Sequence, residues 1–101
     1  MIATPTLFVV ILNYIKEIED IEKLVNEHVE FLKENYQKGN FIVSGARVPR
    51  FGGVILVKAK DRIAVQEIIE KDPFYKGRVA EYQIIEFNAS RYAEGFEKWL
   101  S

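Results

Sequence analysis

Residues 7–37 decide the fold, and they read LFVVILNYIKEIEDIEKLVNEHVEFLKENYQ. The first eight, Leu7–Tyr14, are mostly β-branched, aliphatic or aromatic and contain no turn former, which predicts a strand buried on both faces. From Ile18 onward the apolar residues recur at helical spacing, with charged residues between them. The pattern therefore predicts an amphipathic helix that reaches about Gln37 and ends at Gly39.

The rest of the chain adds three strands and one more long helix. Phe41–Gly45 and Gly53–Ala59 predict two strands that pair as a hairpin. Asp61 is a good N-cap for a helix that reaches about Lys71, where Asp72-Pro73 stops it. Val79–Phe87 predicts the fourth strand.

The resulting order is βαββαβ, followed by a short C-terminal helix that Ser90 is expected to cap. Right-handed crossovers put both long helices on one face of a four-stranded antiparallel sheet, an α+β fold. The first strand is apolar on both alternating sets, Leu7, Val9 and Ile11 beside Phe8, Val10 and Leu12. An uncovered apolar face of this extent indicates an interface, so we expect two sheets to pair in a homodimer, with the C-terminal helix as the competing cover.

Length and composition predict one globular domain over residues 1–101. The predicted strands bound a core at about 7–87, which leaves a C-terminal extension at 88–101. The net charge of -1 offers no field that would attract nucleic acid or an anionic membrane, so neither is an expected partner. The apolar run at 7–12 is too short for a signal peptide or a membrane span. The absence of cysteine excludes thiol chemistry and fits a cytoplasmic protein.

His28 is the only histidine, and it lies in the apolar stripe of the first helix beside Leu24, Val25, Phe31 and Leu32. Its imidazole should face the sheet. Two interpretations stay open. It is either a buried imidazole with a polar partner, or a general acid or base at the bottom of a pocket, because histidine titrates near neutral pH.

Asp72 also has two interpretations. It either caps a short turn that begins at Pro73, or its carboxylate orients His28 and stabilises the charged imidazole. The sequence does not show whether the two residues touch.

Further pocket candidates follow the second strand. Ser44 and Gly45 offer a hydroxyl and unhindered backbone, while Arg47 and Arg50 bracket Pro49 and could hold a carboxylate. An ordinary strand end and a solvated loop are the alternatives. Phosphate-binding glycine motifs, a GxSxG elbow and a zinc ligand set are missing, so no metal or cofactor is expected, and only a lone axial haem ligand at His28 stays formally open.

The chain resembles the YciI-like (YCII-related) family of dimeric α+β barrel proteins over about Leu7–Phe87. The motifs behind this resemblance are the opening strand, His28 with Phe31-Leu32, Gly39 before the FIVSG of 41–45, Gly52-Gly53, and Asp72-Pro73-Phe74-Tyr75. The resemblance implies a ferredoxin-like fold, a homodimer, and an active-site pair at His28 and Asp72. Ser44 and Gly45 match the family's strand end, although Ala46 stands where many members have proline.

The functional hypothesis is a small cofactor-independent enzyme that transfers a proton on a small, aromatic-derived or carboxylated metabolite, with an isomerase or lyase outcome. His28 would shuttle the proton, Asp72 would orient it, and Ser44, Gly45 and Arg47 would bind the substrate. A non-catalytic module that binds a small ligand is the alternative, and a purely structural dimer is the third. RNA binding is disfavoured because the third strand lacks stacking aromatic residues.

Overall fold

The computed structural model describes residues 4–100 and has the predicted order of elements. In chain order they are β1 Thr6–Tyr14, α1 Ile18–Glu22, α2 Val25–Gln37, β2 Phe41–Ala46, β3 Gly52–Lys58, α3 Arg62–Ile69, α4 Pro73–Lys76 and β4 Ala80–Asn88. The strands form one antiparallel sheet in the order β2-β3-β1-β4. The predicted α+β fold and the β2–β3 hairpin are therefore confirmed.

The helices cover one face of this sheet, and β1 lies in its middle. Phe8, Val10 and Leu12 of β1 point at the helices and are at most 1% exposed. Each such side chain contributes roughly 1.5–3 kcal/mol through burial. The side chains that form this core are Phe8, Val10, Leu12, Ile21, Phe31, Phe41, Ile55, Val57, Val65, Ile69, Phe74, Val79 and Ala80.

The first predicted helix is divided in two, which corrects the expectation of one continuous helix. α1 ends at Glu22, and α2 begins at Val25 after Leu24, the N-cap residue, which has φ −109° and ψ −3°. The interruption accompanies the complete burial of Ile21. Gly39 ends α2 as predicted, because its φ of +79° lets the amide of Asn40 return to the carbonyl of Asn35.

The prediction of a helix capped by Ser90 is wrong. A short C-terminal helix is present, but it is a 3-10 turn, Phe96–Trp99, that follows Gly95 in the left-handed region. The amide of Ala89 donates to the carbonyl of Pro5, so the chain after β4 is tied to the segment before β1.

The face opposite the helices is apolar and largely open. Val43, Val54, Ile85 and Phe87 are between 38% and 57% exposed on it. The C-terminal segment covers one end, where Tyr92 and Phe96 lie over a groove that Leu7, Leu56 and Phe87 line. No helix in residues 4–100 has the length and apolar character needed to cross a membrane.

Candidate active site

His28 and Asp72 are in direct contact. The Nδ1 atom of His28 lies 2.7 Å from Oδ1 of Asp72, whose side chain is fully buried, while the imidazole is 14% exposed. Asp72 Oδ1 also accepts from the amide of Phe74 at 3.0 Å and thereby caps α4. Asp72 is therefore both the cap of α4 and the partner of His28, and both contacts use the same oxygen, Oδ1.

The other carboxylate oxygen of Asp72 is held by Tyr82. The Tyr82 hydroxyl donates to Oδ2 at 2.5 Å. Burial raises the pKa of the Tyr82 hydroxyl well above its ordinary value, and the negative charge of Asp72 and the hydrogen bond raise it further. Tyr82 therefore stays a neutral donor, and the carboxylate accepts three hydrogen bonds when His28 Nδ1 is protonated.

This arrangement selects one state of the His28 ring. A carboxylate only accepts, so Nδ1 of His28 carries the proton that faces Asp72. In the neutral imidazole the lone pair is then on Nε2, which is the nitrogen left for a ligand. Phe74 fixes the plane of the ring, because the two rings stack with centroids 4.0 Å apart and planes 9° apart. Tyr14 packs edge-on against Phe74 at 5.9 Å.

His28 lines a cavity of about 200 Å³ between α2 and the strands β1, β2 and β3. The residues around it are mostly apolar, with glycines at the strand ends: Leu12, Tyr14, Val25, His28, Leu32, Ser44, Gly45, Ala46, Arg50, Gly52, Gly53, Val54, Ile55 and Phe74. Such a cavity, apolar with a few polar groups, is the usual form of a site for a small organic molecule.

Ser44 and Gly45, both predicted site residues, lie on the wall of this cavity. The Ser44 hydroxyl is 2.5 Å from the hydroxyl of Tyr36 on α2. Because a phenol is the stronger acid, we assign Tyr36 as the donor, which leaves the Ser44 proton free to donate into the cavity. Gly52 must be glycine, since a Cβ there would lie 1.7 Å from the carbonyl oxygen of Leu12.

The two loop arginines are separated by the structure. Arg47 donates to the side-chain carbonyl of Asn13 and is not part of the cavity wall. Arg50 does line the cavity, and its guanidinium lies 3.8 Å from the carboxylate of Glu22. The sequence named both arginines, but only the loop geometry separates them.

The bond between Tyr82 and Asp72 was not predicted from the sequence. The alternation of β4 contains part of the signal, because Tyr82 pairs with Leu12 and so shares its helix-facing side. What the alternation cannot give is the position of Asp72 at the end of that side chain.

Comparison with known proteins agrees with the fold. The YCII-related domain model matches residues 7–88. The chain belongs to the YCII-related family. This confirms the resemblance drawn from the sequence motifs. No protein of curated function matches the chain in sequence.

Several solved structures share the fold of this YCII-related protein. One is the 5-chloro-2-hydroxyhydroquinone dehydrochlorinase of Burkholderia phenoliruptrix in complex with 2,5-dihydroxybenzoquinone, with a TM-score of 0.67 and 18% identity over 90% of this chain and 97% of that one. A conserved protein from Methanosarcina mazei has a TM-score of 0.56 and 18% identity, over 84% and 93%. A mutant of SnoaB, a cofactor-independent oxygenase from Streptomyces nogalater, has a TM-score of 0.50 and 13% identity, over 91% and 99%. The TM-scores establish a common fold, and the low identities establish nothing beyond it.

Proposed function

We propose that this YCII-related protein is a cofactor-independent enzyme that moves a proton on a small aromatic-derived or carboxylated molecule. The observation behind this proposal is the buried pair of His28 and Asp72 at the wall of an apolar cavity. A histidine whose Nδ1 is held by a carboxylate presents Nε2 as a base, and a general base of this kind contributes roughly 10²–10⁴-fold to a reaction rate.

In the proposed mechanism, Nε2 of His28 removes a proton from the substrate. The imidazolium that forms is stabilised by the charge of Asp72, 2.7 Å from Nδ1. The electron pair of the broken bond then moves into the substrate. Return of the proton to another substrate atom gives an isomer. If that electron pair instead forms a new π bond and a leaving group departs with the pair of its own bond, the result is an elimination product.

Two groups of the cavity fit the oxygen atoms of such a substrate. Ser44 donates toward a carbonyl or developing oxyanion if, as assigned above, its own oxygen is the acceptor in the bond with Tyr36. Arg50 offers a positive charge to a carboxylate or ionised hydroxyl. Gly45 leaves the wall beside Ser44 open. Arg50 replaces Arg47 in the proposed site, since Arg47 is engaged by Asn13.

The similarity to the dehydrochlorinase, whose structure holds a dihydroxybenzoquinone, supports the aromatic-derived class of substrate. The similarity to an oxygenase described as cofactor-independent supports chemistry by side chains alone. In both comparisons the shared feature is the fold.

Proton transfer can be tested without the natural substrate. The ring C–H protons of 2,5-dihydroxybenzoquinone exchange with D₂O, and proton NMR follows the loss of their signal. We expect the protein to accelerate this exchange above the buffer rate, and His28→Gln to reduce the acceleration by about 10²-fold or more. Glu27→Gln, one residue away on the exposed side of α2, is the matched control and should keep the full rate.

The alternative function has a different result in the same experiment. Saturable binding of the quinone without accelerated exchange, with unchanged affinity in His28→Gln, would replace the enzyme by a non-catalytic binding module. Full exchange activity in His28→Gln would remove His28 from the mechanism.

We also propose that the protein is a homodimer whose open sheet faces pair. The support is the row of apolar side chains on that face, including Val43 at 57% and Ile85 at 41% exposure. An apolar face of this kind usually belongs to an interface.

A further inference from the structure

The Tyr82 hydroxyl and the His28 imidazole bind the same carboxylate, that of Asp72. Asp72 is fully buried, and its two oxygens accept from three groups: the imidazole of His28, the amide of Phe74 and the hydroxyl of Tyr82. Only the Tyr82 hydroxyl can be removed by a substitution that leaves the backbone amide and the imidazole in place. Tyr82→Phe thus isolates one of the three bonds.

We propose that Tyr82 is a positioning residue of the His28–Asp72 pair, whose hydroxyl fixes the carboxylate rotamer and draws part of its negative charge away from His28. This inference rests on the proposed function, because it assigns Tyr82 a role at the same site. Tyr82 lies behind the carboxylate and outside the cavity wall, so it acts through Asp72 and does not touch a substrate.

The geometry fixes the direction of the effect. A hydrogen bond donated to a carboxylate spreads its negative charge, and a buried carboxylate without that donor attracts a proton more strongly. Loss of the Tyr82 hydroxyl leaves Oδ2 of Asp72 with no donor in a buried position. The pair should then hold its proton more tightly, and the titration midpoint of His28 should rise.

Other titratable groups near His28 stay constant in this comparison. They are Tyr14 on β1, Arg50 in the β2–β3 loop and Tyr75 on α4, together with the exposed glutamate Glu27 next to His28 on α2. Tyr75 gives a matched control, because its ring lies 5.6 Å from that of Tyr82 while its hydroxyl makes no hydrogen bond to the Asp72 carboxylate in the described part of the chain. The bond from the Tyr75 amide to the backbone carbonyl of Asp72 is retained in Tyr75→Phe.

The experiment follows the imidazole nitrogens of His28 by NMR across pH in the full-length protein, where a single histidine gives unambiguous signals. We expect the midpoint to rise in Tyr82→Phe. It should fall in Asp72→Asn and stay unchanged in Tyr75→Phe. Equal midpoints in Tyr82→Phe and the native protein, or equal shifts in the two tyrosine variants, would overturn the assignment.

A second measurement needs no substitution, so it survives a variant that fails to fold. With ¹³C-labelled tyrosine, the ζ-carbon of Tyr82 should keep the shift of a neutral phenol at about pH 11, where a free tyrosine is ionised. Ionisation of Tyr82 at the pH of free tyrosine would contradict the hydrogen bond on which the inference depends.

These outcomes separate the two proposals. If the midpoints shift as expected but His28→Gln keeps its proton-exchange rate, Tyr82 positions the pair and the enzymatic role is wrong. If exchange depends on His28 while Tyr82→Phe leaves the midpoint unchanged, the enzyme stands and the role of Tyr82 falls.

Discussion

Oδ1 of Asp72 accepts from Nδ1 of His28 at 2.7 Å and from the amide of Phe74 at 3.0 Å, so one oxygen joins the candidate base to the first turn of α4. Phe74 in turn stacks on the imidazole. The helix cap, the ring stack and the hydrogen bond therefore fix His28 together. Such redundancy is what keeps a catalytic side chain in one orientation.

The first prediction concerns the stability that Asp72 contributes. Asp72→Ala leaves a buried imidazole, a buried amide and a phenol without their acceptor, so we expect the free energy of unfolding in urea to fall by roughly 3–5 kcal/mol. Asp61 is the matched control, because it caps α3 through a single exposed bond to the amide of Ala64. Asp61→Ala should lose only about 1 kcal/mol. Equal losses in the two variants would mean that the buried network adds nothing beyond a helix cap.

The second prediction follows from the raised pKa of Tyr82. A phenol whose pKa is higher in the folded state stabilises the protein below its unfolded pKa of about 10, and this stability is lost as the pH rises above that value. We expect the free energy of unfolding to decline above about pH 10 less steeply in Tyr82→Phe than in the native protein, by up to about 1.4 kcal/mol per pH unit. Tyr75→Phe is the control for the loss of an ordinary phenol. Parallel declines in native protein and Tyr82→Phe would disprove the coupling.

The third prediction compares two glycines of the cavity wall. A Cβ on Gly52 would lie 1.7 Å from the carbonyl oxygen of Leu12, so Gly52→Ala must push β3 away from β1. We expect it to prevent folding or to cost more than about 3 kcal/mol, as severe overpacking does. A Cβ on Gly45 would have no heavy atom of residues 4–100 within 4 Å beyond its own chain neighbours. Gly45→Ala should therefore fold with nearly native thermal stability. A stable Gly52→Ala protein with native strand pairing would contradict the close approach of the two strands.

The sequence was sufficient where local chemistry determines the structure. Gly39 ends α2 because a left-handed residue is needed there, and Asp61 caps α3 through its own side chain. The sequence was insufficient where residues distant in the chain determine the local structure. No helix begins at Ser90; the neighbouring Ala89 pairs with Pro5, and nothing near Ser90 in the chain encodes that contact.

The candidate site shows the same division. The helical stripe could place His28 toward the sheet, and Asp72-Pro73 could mark a cap, but their contact spans 44 positions and exists only after the sheet and α2 have packed. Tyr82 reaches Asp72 from a third element. Such a network is the product of three elements, so no local pattern contains it.

The fourth prediction concerns the open sheet face. Ile85 lies on β4 opposite Val9 and is 41% exposed, and a charge there would have to be buried if two such faces pair. We expect the native protein to sediment as a dimer and Ile85→Glu to sediment as a monomer. Ile63→Glu on α3 alters an apolar residue that is 70% exposed on the helical side, and it should keep the native mass. A monomeric native protein would rule out the proposed pairing.

The last prediction separates the two arginines by charge. Benzoate is a small carboxylated probe for the cavity, and benzamide is its neutral counterpart. Arg50 lines the cavity while Arg47 is bonded to Asn13, so Arg50→Gln should weaken benzoate binding by about five- to tenfold and Arg47→Gln should leave it unchanged.

A substitution at Glu22 should change benzoate binding in the opposite direction. Its carboxylate lies 3.8 Å from the Arg50 guanidinium and competes for it, so Glu22→Gln should strengthen benzoate binding while Arg50→Gln weakens it. Both effects should shrink at high salt, since Arg50 is exposed, and both should be absent for benzamide. Calorimetric titration of the two ligands against the variants measures these affinities.

If Arg47→Gln weakened benzoate binding and Arg50→Gln did not, the carboxylate would bind beside Arg47 and Asn13. In that case the anion would be held away from His28, and proton transfer from a carboxylated substrate to His28 would lose its geometric basis.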